Sequence, residues 1–178
     1  MLTLRPITTT DRYYDFVEAL FLSSFPAVER RDTAAQRHNV DCVEQFTLFL
    51  AEDDGEPVGF ITLWDLGGFS YCEHFATDPS QRNKGYGSQI IDMILDRLPH
   101  PLVLEVELPD NDLSRRRIDF YRRHEFRLME HFAYTQPPYR PEDSPLPLLL
   151  MVSGNESRQL DLTEVAASIH ACVYGTPR

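Results

Sequence analysis

Apolar positions recur with a period of two in some stretches of this 178-residue chain and near 3.6 in others, and the changes of period outline its elements. Residues 2–5 (LTLR) read as a short strand stopped by Pro6. Thr8, Thr9, Thr10 and Asp11 offer N-caps for a helix whose apolar positions Tyr13, Phe16, Val17, Leu20 and Phe21 hold helical spacing up to Pro26. A polar helix is expected from about Glu29 to His38. Phe46–Glu52 and Val58–Trp64 flank the acidic turn Asp53-Asp54-Gly55, a hairpin signal, and Gly67-Gly68 breaks the chain before a third strand, Phe69 to Thr77.

The pattern then changes. Residues 85–98 place Ile90, Ile91, Ile94, Leu95 and Leu98 on one helical face, and Leu102-Val103-Leu104-Glu105-Val106 is the apolar run of a buried strand. Strand 69–77, helix 85–98 and strand 102–106 form one βαβ unit, so these two strands are expected to be parallel. A helix near 112–124 follows, then strands near 126–134 and 146–152 around a proline-rich loop. Asp161-Leu-Thr-Glu164 resembles a capping box that opens a last helix to about Val173. The order predicts an α/β (α+β) protein: a mixed, mostly antiparallel sheet with a central parallel βαβ unit and helices on both faces. No linker divides the chain, so residues 1–178 are expected to form a single domain, with 153–178 a C-terminal helical extension.

Composition narrows the function. A chain 42% apolar and 11% aromatic can build a core, which excludes a disordered or fibrous protein. The net charge of −11 repels phosphate backbones and anionic lipid, so neither nucleic acid nor membrane is an expected partner. That charge is uneven: residues 1–81 carry 5 basic and 14 acidic side chains, whereas residues 82–127 carry 9 and 8. Three separated cysteines, Cys42, Cys72 and Cys172, argue against a disulfide framework or a structural zinc site and suit a reducing compartment. No metal is expected. Residues 1–25 lack the pattern of a signal peptide and no apolar run reaches membrane length, which reads as a cytoplasmic protein.

The chemistry concentrates in Asp78-Pro-Ser-Gln-Arg82-Asn83-Lys84-Gly85-Tyr86-Gly87-Ser88, between a predicted strand and an amphipathic helix. Gly85 and Gly87 let the backbone curl so that successive N–H groups point into one space, the helix start adds its dipole, and Arg82 and Lys84 add charge. Such a loop is a pyrophosphate cradle. A P-loop is excluded because no Gly-Lys pair is present, and the dinucleotide fingerprint lacks its third glycine. What remains, R-x-x-G-x-G, resembles the signature of the GNAT-type N-acetyltransferase superfamily. His74-Phe75-Ala76-Thr77-Asp78-Pro79 resembles that family's strand end, and Phe120-Tyr121 followed by Phe126 resembles its F-Y-x-x-x-G-F element, with Glu125 at the usual glycine.

The resemblance implies acetyl-CoA as co-substrate. It implies that the loop residues Arg82 to Ser88 bind pyrophosphate and that the backbone of Phe75, Ala76 and Thr77 lines the pantetheine arm. Ser114 stands where the family often has an asparagine on pantetheine, and Arg117 is one of six arginines around the following helix that either reach the coenzyme's phosphates or form a solvated basic face. Tyr121 is implied as general acid to the departing sulfur. Glu73, a carboxylate on a largely apolar strand, is the candidate base, with Glu105 second and a structural ion pair the alternative for both. The family's commonest base position aligns nearer Tyr71. Phe25, Glu29 and Tyr139 fall in segments that the family uses for the acceptor, a small-molecule or peptide amine. Phe25-Pro26 through Arg30 also resembles an F-P-x-x-E-R subgroup element. Homodimerisation is left open. The competing reading is a catalytically silent acyl-CoA-binding or protein-interaction module on the same fold.

Overall fold

The computed structural model describes residues 1–154 and 160–176. It is a mixed α/β structure with an eight-stranded, mostly antiparallel sheet that contains a parallel pair. The hydrogen-bonded strand order is β1 (Leu2–Ile7), β2 (Phe46–Asp53), β3 (Glu56–Asp65), β4 (Ser70–Thr77), β5 (Leu102–Glu107), β8 (Leu146–Ser153) and β6 (Phe126–Leu128), with β7 (Tyr134–Gln136) on β8. Its residues group into two compact units, Met1–Asp65 with Cys72–Arg97, and Leu66–Tyr71 with Leu98–Arg178. The expected extension 153–178 includes residues 155–159 and 177–178, which lie outside the described residues.

The first unit contains β1 (Leu2–Ile7), α1 (Tyr14–Ser24), α2 (Thr33–Cys42), β2 (Phe46–Asp53), β3 (Glu56–Asp65), most of β4 (Ser70–Thr77) and α3 (Tyr86–Leu95). Pro6 does not stop β1, because β1 is the first strand of the order and its residue 6 needs no partner beyond Phe49 of β2. The second helix starts later than the polar pattern suggested. Asp32 caps it by accepting from the Ala35 N–H at 2.8 Å, while Ala27–Glu29 form a separate 3₁₀ turn. Ile90, Ile91 and Ile94 of α3 are fully buried. Each contributes roughly 1.5–3 kcal/mol, which outweighs the weak helix propensity of the Tyr86-Gly87-Ser88 start.

Two contacts shape β4. The Thr62 hydroxyl accepts from the His74 N–H at 2.9 Å and donates to the His74 carbonyl at 3.3 Å, so one side chain satisfies both main-chain groups. At Gly59 a β-carbon would stand 2.6 Å from the Ala76 carbonyl, so only glycine lets β3 approach the end of β4 this closely.

The second unit contains the start of β4, then β5 (Leu102–Glu107), α4 (Asp112–Arg123), β6 (Phe126–Leu128), β7 (Tyr134–Gln136), β8 (Leu146–Ser153) and α5 (Leu162–Val173). Its core is Leu102, Val103, Leu150, Met151, Val152 and Ile169, all at 0% exposure. The strand expected at 126–134 is interrupted. Met129 donates to the Leu150 carbonyl and Phe132 turns back onto Met129, so β6 and β7 pair separately with β8. Glu125 adopts φ 63°, the left-handed conformation for which the family motif supplies glycine, and the chain accepts the strain there.

Candidate active site

The loop before α3 is built as a cradle. Asp78 caps the 3₁₀ turn Pro79–Gln81 by accepting from the Ser80 N–H at 2.8 Å. Asn83 at φ 67° and Gly85 at φ 77° then place two left-handed residues around Lys84, and α3 begins at Tyr86. Alternation of this kind turns successive N–H groups toward one concavity, and the first turn of α3 adds donors without intrahelical partners. Arg82, Asn83, Lys84 and Gly85 are exposed, with the Lys84 ammonium held at 2.6 Å by Gln81. The Tyr86 hydroxyl donates to Asp53 at 2.6 Å, which lowers the Asp53 pKa and ties the loop to the β2–β3 turn. Gly87 and Ser88 continue the first turn of α3 and are half-buried. This donor set fits the pyrophosphate of a coenzyme.

At the end of β4, Phe75, Ala76 and Thr77 are half-buried, and the Asp78 N–H that follows donates to Val58 at 2.9 Å. Glu73 sits earlier in the strand, its side chain at 0% exposure. Its carboxylate receives both terminal nitrogens of Arg31, one at 2.9 Å, and the Trp64 indole N–H at 2.8 Å. Burial alone would raise its pKa, but the Arg31 charge and the Arg31 and Trp64 hydrogen bonds hold it below the usual carboxylate range. The structure therefore places Glu73 in the ion pair that the sequence offered as its alternative role. Arg31 is also fixed by Gln36 at 2.8 Å.

The neighbouring residue grips the same segment. His74 Nε2 lies 3.1 Å from the Glu29 carbonyl, which can only accept, so that nitrogen carries the proton. The ring meets Phe21 and Phe25 edge-on, with centroids 4.9 and 4.6 Å away. Burial lowers the His74 pKa. Phe25 and Glu29 are thus anchored on β4 by Glu73 and His74 through residues 25–31.

In the second unit, Tyr121 of α4 is 8% exposed, its ring centroid 5.1 Å from Phe120 and 5.3 Å from Phe126. Ser114 is 1% exposed and serves the helix start. Its N–H donates to Asn111 Oδ1 at 2.9 Å, and its hydroxyl accepts from the Asn111 N–H at 3.3 Å and donates to the Asn111 carbonyl at 3.0 Å. Arg117 is exposed and pairs with Glu107 at 3.1 Å. Tyr139 packs its ring 5.0 Å from that of Tyr174, just beyond α5.

The family model for the GNAT acetyltransferases matches residues 13–126. A GNAT-family protein of Bacteroides thetaiotaomicron is 43% identical, superposes with a TM-score of 0.93 and covers 98% of this chain and 99% of its own. The chain belongs to the GNAT acetyltransferase family. A GNAT acetyltransferase of Elizabethkingia anophelis with acetyl-CoA bound shares the fold at 14% identity, with a TM-score of 0.59 over 85% of this chain and 97% of that one. An Arabidopsis thaliana protein in complex with the bisubstrate analogue CoA-Ac-MVNAL does so at 18% identity and 0.60, over 86% and 98%. No curated protein matches the sequence significantly. Membership of this family supports an acyltransferase. Among the described residues, no helix is long and apolar enough to cross a membrane.

Sequence reasoning missed Arg31 as the partner of Glu73, and Tyr134 and Tyr174 as partners of Glu105. Alternation along β4 and β5 pointed to buried carboxylates needing partners, but nothing local named residues 42, 29 or 69 positions away.

Proposed function

We propose that this GNAT acetyltransferase transfers the acetyl group of acetyl-CoA to a primary amine of a small molecule or peptide. The observation that carries this reading is the Arg82–Ser88 cradle at the start of α3, with left-handed Asn83 and Gly85 turning main-chain donors outward. The backbone of Phe75, Ala76 and Thr77 extends the coenzyme site along β4. Phe25 and Glu29 of the first unit and Tyr139 of the second are the residues assigned to the acceptor in this reading, and the acid-rich first 81 residues favour a cationic amine. Arg117 is kept in this reading as a phosphate ligand, its exposed guanidinium free to exchange Glu107 for a phosphate of the coenzyme. Ser114 supports that contact by fixing the start of α4.

In the transfer the amine nitrogen forms a C–N bond to the thioester carbonyl and the C–S bond breaks. The Tyr121 phenol gives its proton to the departing thiolate and recovers one as the amide nitrogen loses its second proton. Glu73 is not carried forward as the base: an anion held by a guanidinium and an indole N–H is a poor proton acceptor.

Thiol release from acetyl-CoA, screened against polyamines, aminoglycosides, amino acids and peptides, tests the reading. Tyr121→Phe is expected to lower kcat about 100-fold while acetyl-CoA affinity stays unchanged. Tight coenzyme binding with no turnover of any amine would establish the silent module instead.

A further inference from the structure

Residues 1–81 hold five basic side chains, all arginines, among fourteen acidic ones. Three of the five take carboxylates: Arg5 pairs with Asp11 and Glu52, Arg31 with Glu73, and Arg37 with Glu18. Arg12 is exposed and lies over the Tyr13 ring. Arg30 is half-buried, yet among the described residues no carboxylate pairs with it. Its Nε donates to the Phe25 carbonyl at 2.9 Å, and its guanidinium carbon stands 5.7 Å from the centre of the Phe21 ring. These contacts hold the group in place and leave the N–H donors of both terminal nitrogens unspent among the described residues. The charge reaches β4: burial lowers the pKa of His74, and the Arg31 and Arg30 charges lower it further.

We propose that Arg30 anchors a carboxylate of the acceptor, and that the acceptor is a free amino acid with an apolar side chain. The proposal rests on the N-acetyltransferase reading, which assigns Phe25 and Glu29 to the acceptor; Arg30 is bonded to the first and follows the second in the chain. A guanidinium fork meets a planar carboxylate through two parallel N–H···O bonds, and a half-buried position makes them stronger than in open water. An amino acid carries carboxylate and amine on one carbon, so fixing the first limits where the second can reach. A peptide's N-terminal residue has an amide in place of that carboxylate and gives Arg30 no anion to hold.

The charges of the segment divide as a zwitterion's do. The acid-rich surroundings favour the ammonium, while the unpaired guanidinium favours the carboxylate and repels an acceptor that is cationic throughout. The apolar side chain follows from the same stretch of chain. Leu22, 40% exposed, and Val28, 45% exposed, are two of the four exposed large apolar side chains among the described residues, and Pro26 and Ala27 between them are exposed as well. The neighbouring Arg31 marks the contrast: with Glu73 and Gln36 on its terminal nitrogens it holds the fold together, whereas Arg30 keeps its fork for a ligand.

Thiol-release kinetics on leucine, methionine, phenylalanine and their carboxamides, for the wild type, Arg30→Gln and Arg30→Lys, test the anchor. The quantity read is the ratio of kcat/KM for each acid to that for its amide, and comparing proteins cancels the amide's weaker basicity. Arg30→Gln is expected to lower this ratio about 100-fold, mostly through the KM of the acid, because a charge-assisted pair of hydrogen bonds is lost. Arg30→Lys keeps the charge without the fork and is expected to fall between. A ratio unmoved in Arg30→Gln, as when both rates fall together from a disturbed loop, would overturn the proposal and leave the N-acetyltransferase reading standing. So would wild-type turnover of the amides and other amines but of none of the acids. Turnover of no amine by the wild type, despite acetyl-CoA binding, would overturn both. A second measurement needs no turnover: in calorimetric titration with coenzyme A present, N-acetylleucine is expected to bind the wild type about 10-fold more tightly than N-acetylleucinamide, and Arg30→Gln to bind the two alike. Equal binding by the wild type counts against the anchor.

Discussion

Two glutamates, Glu73 in β4 and Glu105 in β5, stand on strands of largely apolar residues, and each unit neutralises its own by different chemistry. Around Glu73 the partners are a guanidinium and an indole, 2.9 and 2.8 Å away, and the side chain is sealed from solvent. Around Glu105 the partners are phenols, with Tyr174 at 2.9 Å. A fixed cation makes an anion permanent; hydroxyls let it change its protonation state, because each can pass a proton as well as donate a hydrogen bond. The first arrangement fixes a charge, the second leaves one that can be neutralised.

The largest expected difference lies in stability. Glu73→Gln strands the buried Arg31 guanidinium and is expected to cost about 3–5 kcal/mol in denaturant unfolding, whereas a loss under about 1 kcal/mol would break the contrast. Glu105→Gln keeps the shape and one acceptor oxygen while turning an amide NH₂ toward a phenol. A loss of about 1–3 kcal/mol is expected by the same measurement.

The smallest effect sharpens the comparison through pH. Buried His74 stays neutral when the unfolded chain takes up a proton below its ordinary 6.5, so its contribution is full above that pH and declines as pH falls toward the lowered folded value. Glu73, held below its ordinary 4.5, contributes fully above 4.5 and loses its share only as pH falls through the depressed value. Thermal unfolding from pH 8 to 3 should therefore show two acid losses. His74→Phe should remove the first and spare the second. An unchanged slope in that variant would separate His74 from the acid response.

Local signals made much of this legible. The change from alternating to helical period placed β4, α3 and β5, and glycine spacing exposed the cradle before any coordinate. Elements failed where a single side chain outweighed the pattern. Asp32 capped α2 later than Glu29, and the turn at Met129–Phe132 divided one apparent strand into two. The loop proposed for the coenzyme was readable because its donors are consecutive residues. The two carboxylate clusters were not, because their partners are chosen by the sheet's folding, 42 residues from Glu73 and 69 from Glu105. Ser114 shows the opposite limit: its position suggested a ligand contact, whereas Asn111, three residues earlier, claims its hydroxyl for the helix start.

The bond from Tyr86 to Asp53 bears on the speed and strength of the coenzyme capture proposed for this loop. A cradle hinged freely between β4 and α3 would have to give up conformational entropy each time a ligand arrived. Tethered to the hairpin turn, it undergoes that ordering once, during folding. The free energy of each later encounter then goes into affinity instead of loop closure.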